Sequence, residues 1–222
     1  MSPASLSVLE ARVLGVLIEK EVTVPDIYPL SLNALTAGCN QKNNRDPVLN
    51  ASESDVQAAI DRLRPLSLVI ESSGSRVMRY SQNVARVLRI SSEAVALLAT
   101  LWLRGPQTAA ELRSGSERLH RFADLSSVEG FLNQLAARAD EAGGPLVRLL
   151  PRAPGSREPR WIDLLSPEPA ANMNEQAGEP RGTVDERASG VAELQAEVAR
   201  LREEIVELRS RVERMEAGSG HR

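Results

Sequence analysis

Val56, Ile60 and Leu63 recur as Val128, Leu132 and Leu135, with the same i, i+4, i+7 spacing. Each triplet is the apolar stripe of the third helix in a series, and each series ends in two strand-like pieces. A chain that repeats its own pattern is constrained to fold two copies of one small unit. In the first copy, Val8, Ala11, Leu14, Val16, Leu17 and Ile18 predict a helix over 7–21, with Ser7 and Glu10 as a capping box. Pro29 suits the first turn of a second helix, ended by Gly38. Ser52 caps the third, with Val56, Ala59, Ile60 and Leu63 on its apolar face and Pro65 closing it. Strands over 68–72 and 77–81 follow, joined by Ser73-Gly74-Ser75.

The second copy reads as helices over 91–103, 108–120 and 127–138, then strands over 146–150 and 160–165. Three helices followed by a hairpin is the order of a winged helix-turn-helix. The expected fold class is mainly α with small β-hairpins (α+β): two tandem winged helix-turn-helix domains, residues 5–90 and 91–166. Residues 167–190 carry almost no large apolar side chains to offset their ordering entropy and read as a flexible linker.

Beyond the linker, Val191, Leu194, Val198, Leu201, Ile205, Leu208, Val212 and Met215 follow an unbroken 3-4 spacing. β-Branched residues at every a position, with Leu or Met at every d, favour a parallel two-stranded coiled coil over 191–217. The flanks agree, because Glu197–Arg202, Glu204–Arg209 and Arg211–Glu216 are opposite in sign across a parallel dimer. The expected assembly is therefore a homodimer. An amphipathic helix packed on its own domain is the competing reading, but it does not account for the charge pattern.

Composition removes several classes of activity. The only histidines are His120 and His221 and the only cysteine is Cys39, so neither a metal site nor a His-based catalytic arrangement can be nominated. No glycine-rich phosphate loop follows a strand. Glu10 and Glu19 are better explained by capping and by a solvated face than as paired catalytic carboxylates. Catalytic residues, metals and cofactors are all expected to be none, and the chain is not expected to be an enzyme. Cys39 beside Lys42 and Arg45 could be a redox thiol, although a small buried thiol is the commoner case. Aromatics at 3% argue against stacking on single-stranded nucleic acid. With no signal-like start and no membrane-length apolar run, the expected location is cytoplasmic, with no membrane partner.

What charge remains points to binding. Residues 1–166 hold 19 Lys/Arg against 18 Asp/Glu, so the acidic balance of −3 belongs to the tail. The hairpins are richer in arginine: Arg76, Arg79, Arg86 and Arg89 in the first, and Arg148, Arg152, Arg157 and Arg160 in the second. Arginine in a wing can reach phosphates or a narrow minor groove. The third helices are poorer candidates, since Glu53, Gln57 and Asp61 make the first one acidic on its outer face. Between helices two and three lies GCNQKNNRDPVLN, residues 38–50, which is long for a connection inside a compact domain. Asn43-Asn44 can turn left-handed and bond nearby amides, so a self-packed corner is one reading. Lys42 and Arg45 exceed what a corner needs. The expectation is a corner whose tip, Lys42, Asn43, Asn44 and Arg45, stays solvated and makes a contact. Duplex DNA bound through the wings is the leading partner, and another protein bound by winged helices acting as adaptor modules is the alternative.

The stretches LEARVLGVLIEK (9–20), YPLSLNAL (28–35), GCNQKNNRDPV (38–48), SRVMRY (75–80), LRGPQTAAELR (103–113) and RAPGSRE (152–158) resemble the YceH-like bacterial proteins of unknown function. The resemblance implies a tandem winged-helix fold and brings no established activity. The linker and heptads lie outside the resembled region.

Overall fold

The computed structural model describes residues 5–73, 77–152 and 157–166. Its longer helices start where a short polar side chain can accept from an otherwise unpaired backbone N–H. Ser7 caps α1 (Val8–Thr23), Ser52 caps α3 (Glu53–Leu63) and Thr108 caps α6 (Ala109–Ser116), each as a full capping box. Ser91 caps α5 (Ser92–Arg104) and Asp124 caps α7 (Leu125–Ala136). The third helix of the second copy therefore starts before the expected Ser127, and α6 stops short of His120.

The second helix also differs from expectation. Pro29 does not open it. Leu30–Ser31 form a short strand, β1, and Ser31 then caps α2 (Leu32–Cys39). Gly38 lies inside α2 and does not end it. A methyl group there would come within 2.6 Å of Val16 Cγ1, so the glycine allows α2 to press closely on α1.

β2 (Val69–Ser73) and β3 (Met78–Gln82) are the expected hairpin, and β1 joins it to give the antiparallel order β1-β3-β2. A short helix, α4 (Val84–Leu88), follows and ends on Arg89 in left-handed backbone. In the second copy β4 (Val147–Leu149) pairs with β5 (Trp161–Asp163). Gln107 takes the place of β1, exchanging backbone bonds of 3.1 and 2.7 Å with Trp161. Both copies thus run helix, strand or bridge, helix, helix, strand, strand, with the first extended piece paired to the last. The fold is mixed, mostly helical, with two small antiparallel sheets.

The two copies share one core. An unbroken run of α5, Ala94–Leu103, is buried, as is Glu10–Ile18 of α1. A helix covered on nearly every side cannot be amphipathic in the ordinary sense. α1 packs on its own copy and on α5 at once. Gly15 sets their approach, since a Cβ there would lie 2.9 Å from Leu103 Cγ and 3.4 Å from the Ala99 carbonyl. One apolar cluster consequently runs from Leu6 to Leu165, crossing the expected 90/91 boundary, and the Leu6 N–H donates to the Leu165 carbonyl. The linker 167–190 and the heptad seam, Val191 to Met215, lie outside the described residues. Among the described residues no helix is long and apolar enough to cross a membrane.

Candidate functional site

The loop after α2 is closed at its base by one side chain. Asn40 Nδ2 donates to the Ala51 carbonyl and its Oδ1 accepts from the Ala51 N–H, both at 2.8 Å, mimicking a strand pair. Two arginines then fix the interior. Arg12, fully buried on α1, donates through Nη1 to the Cys39 carbonyl (3.1 Å) and through Nη2 to the Pro47 carbonyl (2.7 Å). It holds both sides of the loop against the helix. Burial, and then the nearby Arg45 charge, push its pKa down.

Arg45 corrects the sequence expectation. Its side chain is not solvated but completely buried. Nη2 and Nη1 meet the Glu19 carboxylate at 2.6 and 3.2 Å, Nη2 also donates to Gln41 Oε1, and Nε donates to the Gly38 carbonyl. Glu19 is accordingly not on a solvated face. Burial alone would raise its carboxyl pKa, but the hydrogen bonds and charge of Arg45, with Lys20, hold it below the ordinary value. The loop turns back at Asn44, which adopts φ 58°, and the residue after it meets Glu19 of α1, 26 residues earlier in the chain. Lys42, Asn43 and Asn44 remain exposed, as expected, and border a cleft against α5 and α6.

Cys39 is buried, with its thiol pKa pushed up to about 12 by desolvation, which outweighs the pull of Arg12 and Arg45. A thiol held protonated is a poor nucleophile, and the geometry favours the packing role over the redox one. Among the described residues no group of His, Cys, Asp and Glu could hold a metal ion.

The hairpin arginines divide. Arg79 is tied inward, donating Nη1 to the Pro29 carbonyl (2.7 Å) and the Ile27 carbonyl (3.3 Å). Arg160 bonds the Pro106 carbonyl (2.7 Å) and pairs with Glu111 at 3.1 Å. Both therefore hold a hairpin to the segment before the second helix of its copy. Arg152 and Arg157 are exposed and have no ion-pair partner among the described residues, while Arg76 lies outside them.

The third helices differ in their outer faces. α3 exposes Glu53, Asp55 and Asp61. The cations near it are occupied, Arg62 by Glu10 and Arg64 by Glu71 at 2.8 Å. α7 exposes Ser126, Glu129, Asn133 and Gln134, with a single carboxylate. At the corner leading into it, Arg113 donates to the Ala123 carbonyl and Arg121 makes only a long, exposed contact with Glu117.

A family model described as "Protein of unknown function, DUF480" matches residues 6–156. A UPF0502 protein of Leptothrix cholodnii is 54% identical over 215 residues, covering 95% of this chain and 93% of its own length. One from Methylibium petroleiphilum is 58% identical over 191 residues, covering 86% and 78%. One from Burkholderia ambifaria is 62% identical over 177 residues, covering 80% and 72%. The family model ends at residue 156, so the linker and the heptads lie outside it, as the resemblance implied. The chain belongs to the DUF480 family of proteins of unknown function.

Proposed function

We propose that the chain is a tandem winged-helix protein that binds duplex DNA through its second copy, as a dimeric regulator or nucleoid-associated factor. The element order and the pairing of first with last strand in each copy support the winged-helix reading. The observation that carries the DNA reading is the contrast between third helices. α7 offers amides and hydroxyls suited to base edges, with Arg113 and Arg121 at the corner leading into it and exposed Arg152 and Arg157 in the β4–β5 connection of the same copy. α3 instead presents Glu53, Asp55 and Asp61, of which only Asp61 has a cation, Arg64, within 4 Å among the described residues. The parallel coiled coil read from the heptads would double the site and raise apparent affinity through effective concentration.

A second reading has its own observation. Around the first copy's acidic face, Leu66, Ile70, Val77 and Met78 are exposed. Acidic and apolar groups together suit a protein partner, so the first copy fits an adaptor role. Anisotropy titration with random duplex DNA at several salt concentrations separates the two. In the DNA reading, log affinity falls with log salt, and the slope loses about 0.9 per phosphate contact removed. Arg121→Ala with Arg152→Ala and Arg157→Ala should flatten it. Unchanged slope in a folded triple variant, or no binding at low salt, leaves only the adaptor.

A further inference from the structure

Four helices, α1, α2, α5 and α6, bring their C-terminal ends around one cleft of about 370 Å³, between the 41–44 turn and the α5–α6 corner. Its charge is one-sided. Lys20, Lys42, Arg104 and Arg118 line it, against a single carboxylate, Glu19. That carboxylate is already engaged by Arg45 behind it and by Lys20 at 3.3 Å. Lys42, Arg104 and Arg118 have no ion-pair partner among the described residues. Each helix end offers about half a negative charge, which offsets roughly two of the excess positive charges. The lining carries a surplus of three before that offset, and the buried Arg45 adds a fourth, so the cleft stays positive.

Space is kept for these cations by the absence of a side chain on α6. A methyl group at Gly115 would lie 2.9 Å from Thr100 Cγ2 and 3.2 Å from Arg104 Nη1. Arg104 thus rests against the bare helix at the cleft wall. The exposed amides of Asn43 and Asn44 stand on the opposite rim, fixed there because Arg12 and Arg45 clamp the turn beneath them. No aromatic side chain lines the cleft, so nothing there stacks on a base. Its volume falls at the lower end of the range of small-molecule sites.

We infer that this cleft binds a small, multiply charged phosphate compound, held by Arg104, Arg118 and Lys42. Forked guanidinium donors match phosphate oxygens in geometry, and unneutralised like charges at short range are relieved when an anion enters. The site draws on both copies, so a bound anion would bridge the first copy's loop to α6. The inference does not depend on the DNA reading.

Calorimetric titration of the full chain with inorganic pyrophosphate tests it, with adenosine diphosphate as a second probe. Pyrophosphate should bind saturably and more weakly as salt rises, and should raise the Tm. Arg104→Gln with Arg118→Gln should weaken binding at least about tenfold, the scale of losing a charge-assisted hydrogen bond. Lys42→Gln, on an exposed tip whose loss leaves the fold intact, should weaken it several-fold. Tighter binding of the diphosphate nucleotide would assign a nucleotide; equal binding would assign a bare anion, and either supports the site. No saturable heat and no Tm shift at millimolar pyrophosphate overturns the inference. So does equal affinity in wild type and both variants, or displacement of pyrophosphate by short duplex DNA, which would make the cleft part of a backbone contact.

Discussion

Glu19 and Arg45, one on the first helix and one in the loop after the second, form a two-pronged ion pair in which the guanidinium is wholly buried. The pair is reinforced by the Gly38 carbonyl and Gln41. It turns a long polar loop into a fixed platform for Lys42, Asn43 and Asn44.

Removing one partner of such a pair leaves the other charge without compensation. Arg45→Met should destabilise the fold by about 3–5 kcal/mol. Lys42→Ala, three residues away and exposed, should stay within about 0.5 kcal/mol. Urea denaturation of the two variants checks this, and similar losses in both would show that the loop is not held through Arg45.

The same pair gives stability a pH dependence. The Glu19 carboxyl is held below its ordinary value of 4.5 in the folded chain. Its contribution is therefore fully present above the unfolded value and is lost as pH falls through the folded one. Urea midpoints should decline below about pH 5, and Glu19→Gln, less stable at neutral pH, should decline less steeply. A parallel decline in both would remove Glu19 from the acid sensitivity.

At the junction of the two copies, Gly15 leaves no room. Gly15→Leu should cost about 1–3 kcal/mol by overpacking against Leu103 and the α5 backbone, despite leucine's better helix propensity. Thermal unfolding should stay a single transition at lower temperature, because one core spans both copies. Two separate transitions in the wild type would contradict that shared core.

The heptad segment sets the assembly in the proposed function. Full-length chain should scatter light as a dimer at micromolar concentration, and deletion of residues 186–222 should give a folded monomer. Eight uninterrupted apolar seam positions would supply the dimer's stability, with the flanking ion pairs contributing about 0.2–1 kcal/mol each and fixing orientation. A full-length monomer would assign the segment to an intramolecular helix.

Periodicity and capping made much of the helical layout legible. Ser7, Ser52, Ser91 and Thr108 sit at helix starts as local chemistry requires, and Val56, Ile60, Leu63, Val128, Leu132 and Leu135 are buried as their spacing demands. Those signals lie within about two helix turns of each other, so the chain carries them without reference to the rest of the fold. β1 and the Gln107 bridge were invisible for the opposite reason. An extended piece of one or two residues has no periodicity, and only a partner strand from far along the chain defines it. Arginine shows the same limit most clearly. Arg45, Arg79 and Arg160 look like free cations in sequence, and Arg152 and Arg157 look the same. Tertiary structure buries the first and ties the next two to carbonyls and carboxylates more than 25 residues away in sequence, while the last two stay exposed. Where a charge ends up depends on which distant acceptors the folded backbone brings within 3 Å or so, and that distance is set only when each copy closes its helices, loop and hairpin on one another.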